Sequence, residues 1–170
     1  MGSKLKYISK REKFVMSHNG YHYTECGLDD VFIIADHLQS DDEGEAVLTI
    51  PAIGMLHKVI AEGVINADGI LNGKKIRFLR TEMGMTQAQL AQILHRKELT
   101  VARWEKDEVG IDAALDLILR QLAAEKLDVP FGQGQTIEML CLERVPTKQP
   151  MPIKAKLNDD KGLPRYTLIA

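Results

Sequence analysis

The residues whose types and spacing could do chemistry lie between positions 77 and 106 of the 170-residue chain. Two runs separated by a short gap carry the pattern, Met85-Thr86-Gln87-Ala88-Gln89-Leu90-Ala91-Gln92-Ile93-Leu94 and Thr100-Val101-Ala102-Arg103-Trp104-Glu105. The cations in and around these runs can neutralise phosphate groups, and they are Arg77, Arg80, Arg96, Lys97, Arg103 and Lys106. The pattern therefore favours binding of an anionic polymer over bond-making chemistry.

The residue pattern supports neither catalysis nor metal binding. Cys26 can be grouped with His18, His22 and His37, but these spacings match no standard set of metal ligands. Nothing in the sequence places a cysteine nucleophile beside a histidine base. The acidic run at 41–45 lacks the ligand spacing of a calcium loop and is predicted to be a solvated turn. We therefore predict no catalytic residue, no metal site and no cofactor, and we expect that the protein is not an enzyme.

The net charge of −2 hides a strong segregation of charge along the chain. Residues 1–20 and residues 73–107 each carry a net charge of +4, whereas residues 21–72 carry −9 and residues 108–170 carry −1. Such asymmetry predicts a basic face for an anionic partner. The acidic segment would be repelled by that partner, so we expect it to face a partner protein, a second subunit or a ligand instead.

The spacing of apolar residues predicts consecutive helices from residue 72 to residue 127. Asn72 and Thr86 are expected to cap the first two helices at their N-termini, and Gly84 is expected to end the first. A third helix is expected at about 98–106. Asp112 is expected to cap a fourth helix, 113–127, whose predicted buried face consists of Leu115, Ile118, Leu119 and Leu122.

The second and third of these helices are predicted to cross closely, because the small residue Ala91 lies at their crossing point. The side chains expected to fill the core behind the crossing are Leu90, Leu94, Val101 and Trp104. This packing would leave one face of the helix at 98–106 projecting from the domain, as a reader of the DNA major groove requires.

The segment from Asn72 to Leu127 resembles the helix-turn-helix domain of the Cro/C1 (Xre) type. The match consists of Leu/Met-Thr-Gln-x-x-Leu-Ala, beginning at Met85, and Thr-Val-x-Arg-Trp-Glu, beginning at Thr100. The resemblance implies a repressor-like transcriptional regulator that binds double-stranded DNA sequence-specifically, as a homodimer. It implies that Gln87 contacts a phosphate and that Lys106 meets the backbone or a base edge. The residues that it implies as base readers are Lys97, Glu98, Leu99, Thr100 and Arg103.

Two residues depart from the pattern of the family. His95 stands at a turn position that is usually glycine, and Asp107 stands where a glycine usually follows the Trp-Glu-basic run. A non-glycine residue can adopt a left-handed turn at modest cost, so these departures affect the turn geometry rather than the fold. Glu98 has two possible roles, as an acceptor for cytosine N4 or as a negative charge that favours the helix N-terminus.

The N-terminal part is predicted to be a small α+β module. Runs at 21–24, 31–34 and 46–50 predict three short strands of an antiparallel meander. After Pro51 the sequence predicts one amphipathic helix that ends near residue 66, with an apolar stripe of Ile53, Leu56, Ile60 and Val64.

The whole chain is expected to have an α+β fold in four parts. These are a basic tail at 1–20, an acidic module at 21–71, a helix-turn-helix DNA-binding domain of four to five helices at 72–129, and a proline-rich extension at 130–170. The extension is expected to have strand character at 166–169 and at 135–145, around Ile137, Met139 and Cys141. The sequence leaves two alternatives for this extension. It packs on its own domain, or it exchanges a strand with the partner subunit of a dimer.

A fainter resemblance in arrangement is to antitoxins of the MqsA kind, which place a small N-terminal module before such a domain. Those proteins carry paired cysteines at a zinc site, whereas this module has only Cys26, so no zinc site is implied. The implied alternative function is an antitoxin that neutralises a toxin protein through the acidic module or the C-terminal strand and represses its own operon. Without a long apolar run or a secretory signal, we expect a cytoplasmic protein with no membrane partner.

Overall fold

The computed structural model describes residues 20–35, 39–40, 46–47, 50–143, 151–160 and 163–169, and they form an α+β fold. The helices are α1 (Ile53–Asn66), α2 (Gly73–Glu82), α3 (Gln87–Ile93), α4 (Glu98–Glu105), α5 (Ala113–Leu127) and α6 (Ile137–Glu143). The strands are β1 (Tyr21–His22), β2 (Val31–Ala35), β3 (Gln39–Ser40), β4 (Ala46–Val47), β5 (Ile153–Asp160) and β6 (Leu163–Ile169). The basic tail, apart from Gly20, and the acidic turn at 41–45 lie outside the described residues.

The main sheet combines strands from both ends of the chain in the order β1-β2-β5-β6. β1 and β2 pair antiparallel, as predicted for the N-terminal module, and β5 and β6 form a second antiparallel pair. The predicted meander does not continue past this pair, because β2 pairs in parallel with β5, and within the described residues β3 and β4 pair with each other alone. An alternating run of apolar and polar residues determines which side chains share a face of the sheet. It does not determine which other strand pairs with it. The four-part division of the chain stays a prediction.

Helix α1 covers one face of this sheet and supplies most of its core. Leu56, Ile60 and Val64 are fully buried, as the predicted stripe requires. They lie in one apolar cluster with strand residues of both chain ends, which include Val31, Ile33, Ile153, Ala155 and Tyr166. The pair β5 and β6 therefore belongs to the core of its own chain. This agrees with the first alternative for the extension, packing on its own domain.

A buried ion pair joins α1 to α5. The guanidinium of Arg120 donates to Asp116 Oδ2 at 2.8 Å, and the two side chains are at most 1% exposed. The same guanidinium donates to carbonyl oxygens where α1 ends, at Val64, Ile65, Ala67 and Gly69. Asp116 Oδ1 accepts from the backbone N–H of Leu71 at 2.8 Å, so the pair also holds the connection between α1 and α2.

This pair also explains an error in the predicted face of α5. Leu115 and Leu119 are buried as predicted, but Ile118 is 51% exposed. The buried face is rotated so that it includes Asp116 and Arg120, whose hydrogen bonds at the end of α1 require them to point inwards. Two charged residues on the inner face of a helix are rare unless they are paired, so apolar spacing alone favours the wrong face.

The strand character expected at 135–145 is wrong for the described residues, because they form helix α6. The hydroxyl oxygen of Thr136 accepts from the backbone N–H of Met139 at 3.3 Å at the start of this helix. Leu140 packs over Gly132, where an added Cβ would lie 3.0 Å from the Leu140 side chain. A short apolar run does not distinguish strand from helix, and the helix observed here has both the bond to Thr136 and the packing of Leu140 over Gly132. Within the described part of the chain, no helix is long and apolar enough to cross a membrane.

The N-terminus of α2 lies directly against the C-terminus of α4. The N–H of Gly73 donates to Asp107 Oδ1 at 2.5 Å. A Cβ added at Gly73 would lie 2.5 Å from the carbonyl oxygen of Trp104 and 2.7 Å from that of Glu105. Glycine is therefore the only residue that allows this approach of the two helices.

We expect Arg120→Met to lower the free energy of unfolding by about 3–5 kcal/mol, because it leaves Asp116 and the carbonyls at the end of α1 buried without their donor. Urea denaturation followed by circular dichroism measures the change. Arg77→Met, at an exposed position of α2, is the matched control and should change stability by less than about 0.5 kcal/mol. An Arg120→Met protein as stable as this control would contradict the structural role of the pair.

We expect Gly73→Ala to destabilise the protein by roughly 1–3 kcal/mol, because the new methyl group overlaps backbone oxygens that cannot move independently. Gly54→Ala on α1 is the control, since no atom lies within 4 Å of its added Cβ. There alanine should leave stability unchanged or raise it by up to about 1 kcal/mol. Equal melting temperatures for the two variants would show that α2 and α4 are not held this closely.

Candidate nucleic-acid interface

The first helix of the candidate interface, α3, begins at a capping box. The hydroxyl oxygen of Thr86 accepts from the N–H of Gln89 at 3.1 Å, and the Gln89 side chain accepts from the N–H of Thr86 at 2.8 Å. Both bonds satisfy donors that a helix start leaves open. The N-caps predicted at Asn72, Thr86 and Asp112 are all confirmed by side-chain bonds.

The two helices α3 and α4 pack across a small apolar core. The residues predicted to fill it are all buried, with Leu90 and Val101 fully inaccessible and Leu94 and Trp104 each 4% exposed. Ala91 at the crossing is 2% exposed. The local geometry is thus the compact pair of helices that the sequence predicted.

A residue with left-handed backbone geometry follows each of the two helices. These residues stand at the two positions where the family pattern has glycine and this chain does not. His95 has φ of 50° and Asp107 has φ of 56°. After His95 the N–H of Arg96 donates to the carbonyl of Ala91, and after Asp107 the N–H of Glu108 donates to the carbonyl of Arg103. These bonds define a Schellman motif at each helix end, so both departures keep the turn geometry that glycine normally provides.

One face of α4 is free of packing within the described residues. At about 100° per residue, Leu99 lies about 200° around the helix from Val101 and about 140° from Trp104. Leu99 is 69% exposed, and the side chains of Arg103 and Lys106 are 51% and 70% exposed. Because Arg103 and Lys106 follow Leu99 by four and seven residues, the three side chains share the outward face.

The remaining predicted site residues border this face. Lys97 is the N-cap residue of α4 and makes no side-chain cap hydrogen bond, and Glu98 occupies the first turn. Both are exposed, whereas Thr100 is half-buried. The position of Glu98 agrees with either of the roles open to it.

Gln87 is tied to the interior by a polar cluster that the sequence did not reveal. Its side-chain amide donates to Glu105 Oε2 at 2.8 Å, and Arg80 donates to Glu105 Oε1 at 2.5 Å. Arg80 also donates to the carbonyl of Met85 at 2.6 Å. Arg80, one of the flanking cations, therefore positions α3 and α4, while Gln87 keeps a second amide hydrogen for another acceptor.

Two further cations of α2 bind carboxylates of the acidic N-terminal segment. Lys74 Nζ lies 2.5 Å from Asp29 Oδ2, and Lys75 Nζ lies 2.9 Å from Asp30 Oδ2. Lys75 is 3% exposed. Part of the charge segregation thus serves to dock the loop before β2 onto α2, a contact between distant residues that has no local signal in the sequence.

A histidine makes a second link between the N-terminal segment and α2. His57 Nδ1 lies 2.9 Å from Glu82 Oε1, and His57 Nε2 lies 3.0 Å from the Tyr23 hydroxyl. Burial raises the pKa of Tyr23 to about 12, so its hydroxyl is protonated at neutral pH. His57 on α1 therefore bridges Glu82 of α2 and Tyr23 of the N-terminal segment.

Glu108 lies at the edge of the outward face of α4. Its carboxylate is 3.5 Å from Arg103 Nε and 3.9 Å from Lys106 Nζ. The carboxylate of Glu108 therefore offsets part of the positive charge of these two side chains. Little in the sequence indicated that Glu108 lies beside these cations, because this residue follows the helix and belongs to no motif.

The described residues do not include any group of three histidine, cysteine or acidic side chains that could hold a metal ion. What the outward face of α4 offers chemically is a set of cationic and apolar groups on a helix that ends in a Schellman motif.

Comparison with known proteins identifies no relative of this chain. The scan against protein-family models, the search of the curated proteins and the search of the solved structures each found no match. The case for a function therefore depends on the motif residues and on the exposed face of α4.

Proposed function

We propose that this protein is a sequence-specific DNA-binding transcriptional regulator that acts as a homodimer. In this proposal α4 enters the major groove of double-stranded DNA. Helix α1 and the main sheet stay outside the groove. The base readers are Lys97, Glu98, Leu99, Thr100 and Arg103.

A single observation supports the proposal most strongly. The helix α4 buries one side against α3, and on its opposite side it exposes Arg103 and Lys106 around an apolar residue. A major-groove reader needs this combination, since the groove admits one helix whose outward side chains meet base edges while cations meet phosphates.

The internal ion pairs define which cations remain for DNA. Lys74, Lys75 and Arg80 are engaged within the protein. The exposed cations at the candidate interface are instead Arg96, Lys97, Arg103 and Lys106, all at the turn before α4 or on α4 and its end. A phosphate contact by Gln87 would use its second amide hydrogen and fix the position of α3 on the backbone.

The test is selection of bound duplexes from a random DNA pool, followed by a salt titration of the selected site. We expect a palindromic site whose half-sites lie one helical turn apart, about 34 Å. We also expect affinity to fall steeply with salt concentration, because bound cations displace counterions from DNA. Recovery of no preferred sequence would overturn the proposal.

We expect Arg103→Ala and Lys106→Ala to weaken binding in different ways. Removing Arg103 should lower affinity for the selected site by about 1–3 kcal/mol and relax specificity at one position, if it reads a base. Removing Lys106 should weaken binding to all sequences alike and lower the salt slope by about 1, if it contacts a phosphate. Fluorescence anisotropy on selected and scrambled duplexes distinguishes the two. Lys126→Ala, at an exposed cation on α5, is the control, and an equal effect there would contradict the assignment.

We expect Glu108→Gln to strengthen DNA binding, because it removes a negative charge that lies beside Arg103 and Lys106 and repels the incoming phosphates. The gain should be largest at low salt and should shrink as salt screens the charge. Anisotropy titrations at several salt concentrations measure it. Glu125→Gln, on the exposed side of α5, removes the same charge at a distance, and a gain of equal size there would refute a local effect.

The antitoxin alternative, in which the acidic module or the C-terminal strand neutralises a toxin protein, stays a prediction. Of the acidic module, Asp29 and Asp30 are paired with lysines of the same chain.

A further inference from the structure

Leu99 is unusual among the large apolar residues of the helix-turn-helix segment. At 69% exposure it is the most exposed of them, ahead of Ile118 at 51% and Ile93 at 44%. Single exposed apolar residues are common on protein surfaces, so exposure alone assigns no role. The surroundings of Leu99 are what make it informative.

Leu99 is the second residue of α4 and lies on its outward face. The N-terminal residues of a recognition helix are those that meet base edges in the major groove. Arg103 follows one turn later on the same face, and Lys97 precedes it at the N-cap. Leu99 thus lies among the residues that the proposed function assigns to base edges.

The major groove offers one apolar group to such a side chain. All four bases present hydrogen-bonding groups there, and thymine alone adds a methyl group, at C5. A leucine side chain has no donor or acceptor, so it cannot discriminate bases by hydrogen bonds. Contact with the thymine methyl is the one favourable base contact open to it.

We propose that Leu99 specifies a thymine in each half-site by packing against its C5-methyl group. This inference rests on the proposed DNA-binding function and deepens it, because it predicts one base of the site. Burial of one methyl-sized group corresponds to roughly a fourfold change in affinity.

The test replaces thymine by deoxyuridine, which pairs with adenine in the same way but lacks the methyl group. Each thymine of the selected duplex is replaced in turn, in both half-sites, and the affinity of the full-length protein is measured by fluorescence anisotropy at constant salt. For the unmodified protein we expect one position at which deoxyuridine weakens binding, by roughly fourfold per half-site.

The variant Leu99→Ala makes the assignment specific. Since Leu99 is largely exposed, this change leaves the core intact, and circular dichroism verifies folding. We expect Leu99→Ala to bind the thymine and deoxyuridine duplexes equally at that position. Ile118→Ala, which shortens an exposed residue of α5, should keep the full discrimination.

The outcomes separate this inference from the proposed function. A selected site without thymine, no position sensitive to deoxyuridine, or unchanged sensitivity in Leu99→Ala would each overturn the role of Leu99 while DNA binding stands. Failure to select any sequence would overturn the proposed function, and the role of Leu99 with it.

Discussion

The buried pair of Arg120 and Asp116 is the interaction on which the arrangement of the helices depends. A helix end leaves its last carbonyls without intrahelical partners, and those at the end of α1 lie against Arg120 of α5. Arg120 donates to four carbonyls there, and Asp116 accepts from the N–H of Leu71. The same two side chains thus fix α1 and the sheet beneath it to α5 and to the start of α2. The positions of α3 and α4 depend in addition on the bonds from Arg80 and on the close contact of Gly73 with the end of α4.

Further ion pairs connect α2 to the N-terminal segment and to α4, next to the candidate interface. Lys75 and Arg80 point into the protein and hold Asp30 and Glu105. A buried carboxylate such as Glu105 would be strongly unfavourable alone, and the bonds from Arg80 and Gln87 satisfy it. The net effect is that Lys74, Lys75 and Arg80 of α2 are paired within the protein, while Arg77 and the cations at the turn before α4 and on α4 are exposed. The total charge of −2 is therefore a poor guide to the surface that α4 presents.

The candidate interface could be predicted from the sequence to the extent that its signals are local. Thr86 and Gln89 are three residues apart and form the capping box, and the spacing of Val101 and Trp104 indicates which side of α4 is buried. The outward placement of Leu99 and Arg103 follows directly from that spacing. The partners of Arg80 and Gln87 did not follow, because Glu105 lies 25 and 18 residues away and only the packed fold brings them together. Glu108 is only five residues from Arg103, and its place there results from the left-handed turn at Asp107, where the family pattern has glycine.

The sequence by itself determined the helices from residue 73 to residue 127 and their caps, since periodicity and capping act over a few residues. It also determined that the fold is α+β. Only the tertiary structure decided that β5 pairs with β2, that α5 turns Ile118 outwards, and that the segment after Thr136 is a helix. Each of these depends on long-range contacts or on a balance between two local conformations. Short apolar runs are compatible with strand and helix alike, and what selects between them is the surface against which they pack.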